Sequence, residues 1–334
     1  MQRTAKLLAG SALFALSMAL PALAVDKVSY GTNWLAEAEH GGFYQAVADG
    51  TYAKYGLDVT IVQGGPQAAN EALLVAGKID FYMGGTFSLY DSVKQGIPMI
   101  NVAAMFQKDP QILMAHPDAG VETFADLSKL GTIFMAKDLY ATAFTWMKSA
   151  YPGFKDEQVK PYTFNPAPFI ADKNSAQQGY LTSEPFAVKA AAGFEPKVFL
   201  FADNGYAPYS TTIETSTKLV SENPDLVQRF VDASIIGWYN YLYGDNKAAN
   251  DAIKAANPEM TDEQLAYSIK AMKDNGILVS GDAVDKGIGC MTDARQKDFF
   301  DMVSKLGLVD ATLDYKKGYT TQFVCKSVGK DLVK

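Results

Sequence analysis

The sequence predicts an α/β protein of two lobes joined by a double hinge, with a helical C-terminal tail that packs back on the first lobe. Three observations predict it. Short apolar, β-rich runs alternate with stretches long enough for crossover helices, and this happens in two successive sets. No repeat, low-complexity tract or flexible linker separates the sets. After about residue 216 the pattern turns almost wholly helical, which makes the first lobe discontinuous: 25–108 with 212–334, and 109–211 as the second lobe. The 334 residues are enough for two such units.

In chain order, the first set places strands at 27–34, 57–63, 79–83 and 99–104, with helices at 42–55, 67–76 and 87–95 between them. The runs are apolar enough to be buried on both faces, so a mostly parallel sheet is expected. The second set has strands at 112–115, 132–136, 159–164 and 197–202, and helices at 124–130, 141–150, 169–178 and 185–192. A further strand is expected at 211–215. Asn223-Pro224-Asp225 then starts a helix whose apolar face is Leu226, Phe230, Val231, Ile235 and Leu242. Thr261 and Gln264 form a capping box, and Asn275-Gly276 stops that helix. The crossovers fall near 104–114 and 203–216, and two lobes joined twice enclose a cleft.

Residues 1–24 carry Arg3 and Lys6, an apolar stretch from Leu7 to Leu20, and Ala-x-Ala at Ala22–Ala24. That is the pattern of a secretory signal peptide cleaved after Ala24, because the apolar run is shorter than the ~20 residues of a spanning helix. The expectation is an exported, periplasmic protein without a lipid anchor, since no Cys stands at the cut. Export leaves Cys290 and Cys325, the only two cysteines, in a compartment where they are expected to pair, stabilising by roughly 3–4 kcal/mol on the chain-entropy estimate. A formal charge of −7 without basic runs makes nucleic acid a poor partner. Two His and two Cys far apart leave little for a zinc or iron–sulfur site, and no cofactor is indicated.

The loops at the carboxyl ends of strands hold the candidate site residues, because ligands of open α/β sheets bind there. After the first strand come Asn33, Trp34, Glu37, Glu39 and His40. Trp34 reads either as core or as a stacking surface, and His40 either as a helix cap or as a ligand contact. Gly64-Gly65 with Gln67, and Gly84-Gly85 with Thr86, precede helices whose free N–H groups can hold an anion or a carbonyl, although ordinary βα turns need glycine as well. In the second lobe the candidates are Asp138, Tyr140, Tyr180 and Glu184. Glu184 stands directly before Pro185, where a carboxylate suits a helix start and could equally accept from a heterocycle. Tyr206 and Tyr209 lie near the second crossover, at the expected mouth of the cleft. No Gly-x-Ser-x-Gly, His-Glu-x-x-His or nucleotide fingerprint occurs, so no catalytic constellation assembles.

Asn33-Trp34 followed by His40-Gly41-Gly42-Phe43-Tyr44, then Gly50 to Val59, Gly77-Lys78-Ile79-Asp80-Phe81, Thr182-Ser183-Glu184-Pro185-Phe186 and Asn223-Pro224-Asp225 together resemble the solute-binding proteins of ABC importers. The branch is the one that binds nitrate, sulfonate, taurine and the thiamine pyrimidine precursor. The resemblance spans nearly the whole chain after residue 24. It implies the type II periplasmic-binding fold of two Rossmann-like α/β lobes with a double hinge, a small-molecule ligand, ABC permease and ATPase partners, and a monomer. The Trp34-to-His40 spacing is most similar to the pyrimidine-precursor binders. By that analogy Trp34 stacks on the ring, Glu184 accepts from it, and Tyr180 or Tyr206 closes the other face. Riboflavin binders share much of this pattern and are the alternative. The absence of Arg from these loops argues against a free sulfonate or nitrate. A relative of the same fold makes the pyrimidine by consuming its own histidine, so a single-turnover enzyme acting through His40 is the alternative of another class, which the export signal opposes.

Overall fold

The structure is a computed structural model that describes residues 25–333; the predicted export segment, 1–24, lies outside the described residues. Two five-stranded sheets organise the chain. The first is built from β1 (Asp26–Gly31), β2 (Leu57–Val62), β3 (Phe81–Gly84) and β4 (Met99–Phe106), in the order β2-β1-β3-β10-β4, where β10 (Ser210–Ser216) arrives from far along the chain. The second is built from β5 (Gln111–Ala115), β6 (Thr132–Met135), β7 (Val159–Pro161), β8 (Ser175–Tyr180) and β9 (Lys197–Leu200), in the order β7-β6-β8-β5-β9.

Both sheets are mixed, where a mostly parallel arrangement was expected. β10 runs antiparallel to β3 and β4, and β5 antiparallel to β8 and β9. Each reversal sits beside a crossover, where the chain leaves one sheet at Phe106 and returns to it at Ser210. Strand direction leaves no mark in either run, the polar STTIETS of β10 or the apolar QILMA of β5.

Helices α1 (Gly41–Ala48), α2 (Thr51–Lys54), α3 (Asn70–Val75) and α4 (Thr86–Gln95) accompany the first sheet. One helix over 42–55 was expected, and the chain makes two, because Gly50 adopts φ 72° between them. In the second unit, residues 124–130 form a 3-10 turn instead of an α-helix. The helical stretch of residues 137–150 contains α5 (Lys137–Leu139), a π-helical segment Tyr140–Phe144 and α6 (Thr145–Ala150). The predicted helix 169–178 is α7 (Ala167–Ala171) followed by β8. Residues 175–178 are buried between β5 and β6, and that pairing overrides a run of Ser, Ala and Gln with no apolar alternation. α8 (Glu184–Ala192) closes the unit.

The tail is helical: α9 (Thr217–Glu222), α10 (Pro224–Tyr243), α11 (Lys247–Ala256), α12 (Asp262–Asp274), α13 (Asp282–Lys286) and α14 (Asp293–Lys305). Asn223 caps α10 by accepting from Leu226 N at 3.2 Å, and Thr261 caps α12 by accepting from Gln264 N at 3.1 Å, which is the Thr261 half of the expected capping box without the return bond from the Gln264 side chain. The apolar face of α10 packs on the first sheet. Phe230 stacks on Phe81 with centroids 4.0 Å apart and on Tyr52 at 5.4 Å, and Trp238 meets Phe43 edge-on at 5.8 Å. This approach needs glycine: a Cβ on Gly42 would lie 2.2 Å from the Trp238 ring. Cys290 and Cys325 form a disulfide. Among the described residues no helix is long and apolar enough to cross a membrane.

The two connections between sheets are tied to each other. Arg295 of α14 donates to the carbonyl and to Oε1 of Gln107 on the first connection, and to the Ala207 carbonyl (3.3 Å) on the second. Its guanidinium also lies 4.1 Å from the Tyr209 ring centroid. Lys108 pairs with Asp203 at 2.6 Å across the same gap.

Candidate functional site

A cavity of about 320 Å³ opens between the two sheets, and the loop after β1 forms much of its wall. β1 ends at Gly31, so Trp34 belongs to the loop and not to the predicted strand 27–34. The Thr32 hydroxyl donates to the Trp34 carbonyl (2.8 Å) and accepts from Gly64 N (2.9 Å), while Asn70 Nδ2 donates to the Thr32 carbonyl (2.9 Å). Gln63 Oε1 accepts from Ala36 N, and Asn257 Nδ2 donates to the Ala36 carbonyl. A backbone fixed from so many sides projects Asn33, Trp34, Glu37 and Glu39 into the cavity.

His40 is fully buried and does not line the cavity. Its Nδ1 accepts from Glu37 N (3.3 Å) and its Nε2 lies 3.3 Å from Asn33 Oδ1. Burial pulls the imidazole down to about 3, so it is neutral, with the proton on Nε2 donated to Asn33. The side chain closes the 3-10 turn Ala38–His40 and positions two cavity residues, and it does not cap α1.

Three carboxyl groups converge. Glu39, 3% exposed, accepts from the Thr182 hydroxyl of the facing sheet's β8–α8 turn, and burial raises its carboxyl to about 7. Glu37 is raised well above the ordinary carboxyl range by burial, and further by Glu39 and Glu184. Glu184 begins α8 and folds back to accept from Tyr180 N (2.7 Å), the Ser183 hydroxyl (2.7 Å) and the Tyr162 hydroxyl (3.2 Å). It therefore fills the helix-start role and faces the cavity as well. Gly179 makes room for it, since a Cβ there would lie 2.8 Å from the Glu184 side chain. Asp138 adds a fourth carboxyl group, and among the described residues no Lys or Arg lines the cavity.

Across the opening from Trp34 stands Phe164, its ring centroid 6.0 Å away and tilted by 34°. Phe164 is 67% exposed and holds φ 59°, a conformation that costs a bulky side chain free energy. The predicted strand 159–164 stops at Pro161, and this left-handed residue turns the ring back toward Trp34.

Of the sequence candidates, Asn33, Trp34, Glu39, Asp138, Tyr180 and Glu184 come together around the cavity. The others do not. Gly85 N donates to the buried Glu214 carboxyl (3.2 Å), so the start of α4 is already filled by the chain's own acid, and the Thr86 hydroxyl donates to the Tyr209 carbonyl. Gly65 lies beside Leu35, and Gln67 is exposed outside the cavity. The Tyr140 hydroxyl donates to Asp156. Tyr206 is packed among Trp146 and Phe299, and Tyr209 lies under Arg295; both are buried instead of standing at the mouth. Gln111, Phe164, Gln178 and Ser183 line the cavity without having been expected there. Asn165-Pro166 marks the end of the predicted strand 159–164, and no sequence signal separates Phe164 from a strand residue. Among the described residues no cluster of His, Cys, Asp or Glu is arranged to hold a metal.

Comparison with known proteins adds the following. The family model described as "NMT1/THI5 like" matches residues 37–249. The riboflavin-binding protein RibY of Chloroflexus aurantiacus is 22% identical over 310 residues, covering 90% of this chain and 86% of RibY. Among solved structures, the periplasmic aliphatic sulphonate binding protein SsuA of Escherichia coli superposes with a TM-score of 0.63 at 13% identity, over 87% of this chain and 91% of SsuA. The desulfurization enzyme DSZB superposes with 0.55 at 14% identity, over 92% and 99%. The fold is that of the periplasmic binding proteins, and its neighbours include an enzyme.

Proposed function

The chain belongs to the NMT1/THI5-like family, and from that premise we propose that it is the extracytoplasmic solute-binding component of an ABC importer, capturing a small heteroaromatic ligand between its lobes and delivering it to a membrane permease. The lobes are residues 25–108 with 212–334, and 109–211, and the protein works as a monomer. The observation that carries this reading is the pair of rings, Trp34 and Phe164, facing each other above a floor of carboxyl groups. A planar ring held between two aromatic faces needs about 7 Å between them, so the observed 6.0 Å asks for a small opening of the lobes. The carboxyl groups of Glu37, Glu39 and Glu184 accept from N–H groups on the ring edge, as an aminopyrimidine of the thiamine-precursor type presents.

The same groups disfavour a free sulfonate, taurine or nitrate. Among the described residues the cavity holds no Lys or Arg, and the α4 start is taken by Glu214. Likeness to SsuA concerns the fold, not the ligand. The similarity to RibY favours a flavin as the second reading. Turnover through His40 is opposed by the burial of its ring, with both nitrogens engaged by neighbours.

The test is a thermal-shift screen of the protein lacking residues 1–24 against aminopyrimidines, flavins, sulfonates and nitrate, since a ligand of the native state raises the melting temperature. A shift with an aminopyrimidine or a flavin, the compound being recovered chemically unchanged, is expected. A shift with sulfonate or nitrate alone overturns the ring reading, and a converted ligand overturns the binding class.

A further inference from the structure

The ring cavity is one-sided in charge. Glu37 and Glu39 reach it from the loop after β1, Asp138 from α5 and Glu184 from α8, and among the described residues no Lys or Arg lines it. A buried carboxylate ordinarily has a cation or several donors to hold its charge. Glu184 has such donors in Tyr180 N and the Ser183 and Tyr162 hydroxyls. Glu39 does not. It is 3% exposed, its Oε1 accepts from the Thr182 hydroxyl, and its Oε2 accepts from nothing among the described residues and opens on the cavity.

The other titratable groups around these acids bring no positive charge. Tyr162 and Tyr180 of the second sheet and Tyr241 of α10 are phenols that burial keeps protonated, and the His40 ring is neutral. Tyr267 of α12 donates to the Leu181 carbonyl, and Asp109, near Tyr180, is one more acid. With no cation from the protein, burial leaves Glu37 and Glu39 holding protons in its place. A neutral ring leaves that arrangement as it is, whereas a cation lets both acids ionise and turns their repulsion into attraction. The rings agree with this: Trp34 and Phe164 have centroids 6.0 Å apart, and the faces of aromatic rings draw a cation.

We propose that the ligand carries a positive charge on or directly beside its ring, and that it replaces the protons held by Glu37 and Glu39, which pass to solvent as it binds. This rests on the ring reading above and adds the charge of the ring to it.

The experiment compares 1-methylnicotinamide, a permanently charged ring, with N-methylnicotinamide, its uncharged isomer, by titration calorimetry on the protein lacking residues 1–24. The cation is expected to bind at least about 10-fold tighter near pH 8, and its affinity to rise about 5-fold or more between pH 6 and pH 8 as the protons become easier to displace. Its heat of binding is expected to differ between phosphate and Tris, because the released protons are taken up by the buffer. Glu37→Gln is expected to shrink the preference for the cation below about 3-fold, since the carboxamide keeps an accepting oxygen and loses the charge. Asp138→Asn, at a carboxyl group nearer solvent, moves the preference in the same direction. Equal or tighter binding of the uncharged isomer overturns the charge, as does a cation affinity that is flat with pH or a preference that survives Glu37→Gln. Binding only of uncharged rings, in this pair or in the screen above, overturns the charge and leaves the ring reading standing. Binding of no ring compound overturns both.

Discussion

Trp34 follows a strand of the first sheet and Phe164 a strand of the second, so in the proposed ring site each supplies one face and neither can replace the other. Trp34→Ala and Phe164→Ala are each expected to weaken a ring ligand by about 1–2 kcal/mol, roughly 5- to 30-fold in Kd, without a loss of folded structure. Wild-type affinity in both variants by calorimetry would remove the site assignment. The carboxyl groups give a pH prediction. Glu39 is raised to about 7, Glu214 to about 8, and Glu37 is raised as well, all chiefly by burial. The folded state therefore binds protons that the unfolded chain, titrating near 4.3, has already lost. Their contribution is whole below about pH 4 and is lost as pH rises through 7 to 8, so the melting temperature of the ligand-free protein falls between pH 5 and 8. Glu39→Gln flattens that fall, and an unchanged slope would mean that Glu39 does not carry the raised value. That Trp34, Glu39 and Glu184 line the cavity was legible because strand-end loops face the space between the sheets in this class of fold. Phe164 was not, because its direction depends on a single left-handed dihedral. Glycine at 85 and Thr86 misled, because the acid that fills the α4 start comes from position 214.

Elements were legible where one local signal settled them. The caps at Asn223 and Thr261 and the apolar stripe of α10 needed no knowledge of the rest of the chain. β8 failed that test: its Ser, Ala, Gln and Gln are polar or small, and only the neighbours on both sides make them a central strand. The π-helical segment Tyr140–Phe144 interrupts the stretch predicted as the single helix 141–150, and no residue of that stretch announces it. The junction of α1 and α10 offers a prediction at this scale. The Gly42 backbone lies against Trp238, and a methyl group there overpacks the core. Gly42→Ala is expected to cost about 1–3 kcal/mol in urea unfolding, while Phe230→Ala, which strips the stack between Phe81 and Tyr52, costs about 3–5 kcal/mol. A loss under 0.5 kcal/mol at Gly42 would show that the two helices separate freely.

The molecule as a whole is two sheets joined by two connections, and the proposed capture of a ligand between them requires those connections to bend together. Arg295 grips both connections, so it sets how the hinge bends without touching the cavity. Arg295→Met is expected to weaken ring binding about 3- to 10-fold and to enlarge the ligand-free radius of gyration in small-angle scattering, with the cavity residues intact. Unchanged affinity and radius would relieve Arg295 of that role. The two-lobe plan was visible in the sequence as two rounds of alternation, but this clamp was not, because its members stand at 107, 207 and 295 and meet only after folding. The disulfide belongs to the same neighbourhood: Gln107, held by Arg295, also donates through Nε2 to the Cys290 carbonyl at 2.7 Å. The Cys290–Cys325 bond thus anchors the seat on which the first connection rests. Reducing that bond is therefore expected to loosen the seat of Gln107 as well as the tail, read as a lower melting temperature in dithiothreitol than in buffer alone, and an unchanged value would show that the seat stands without it.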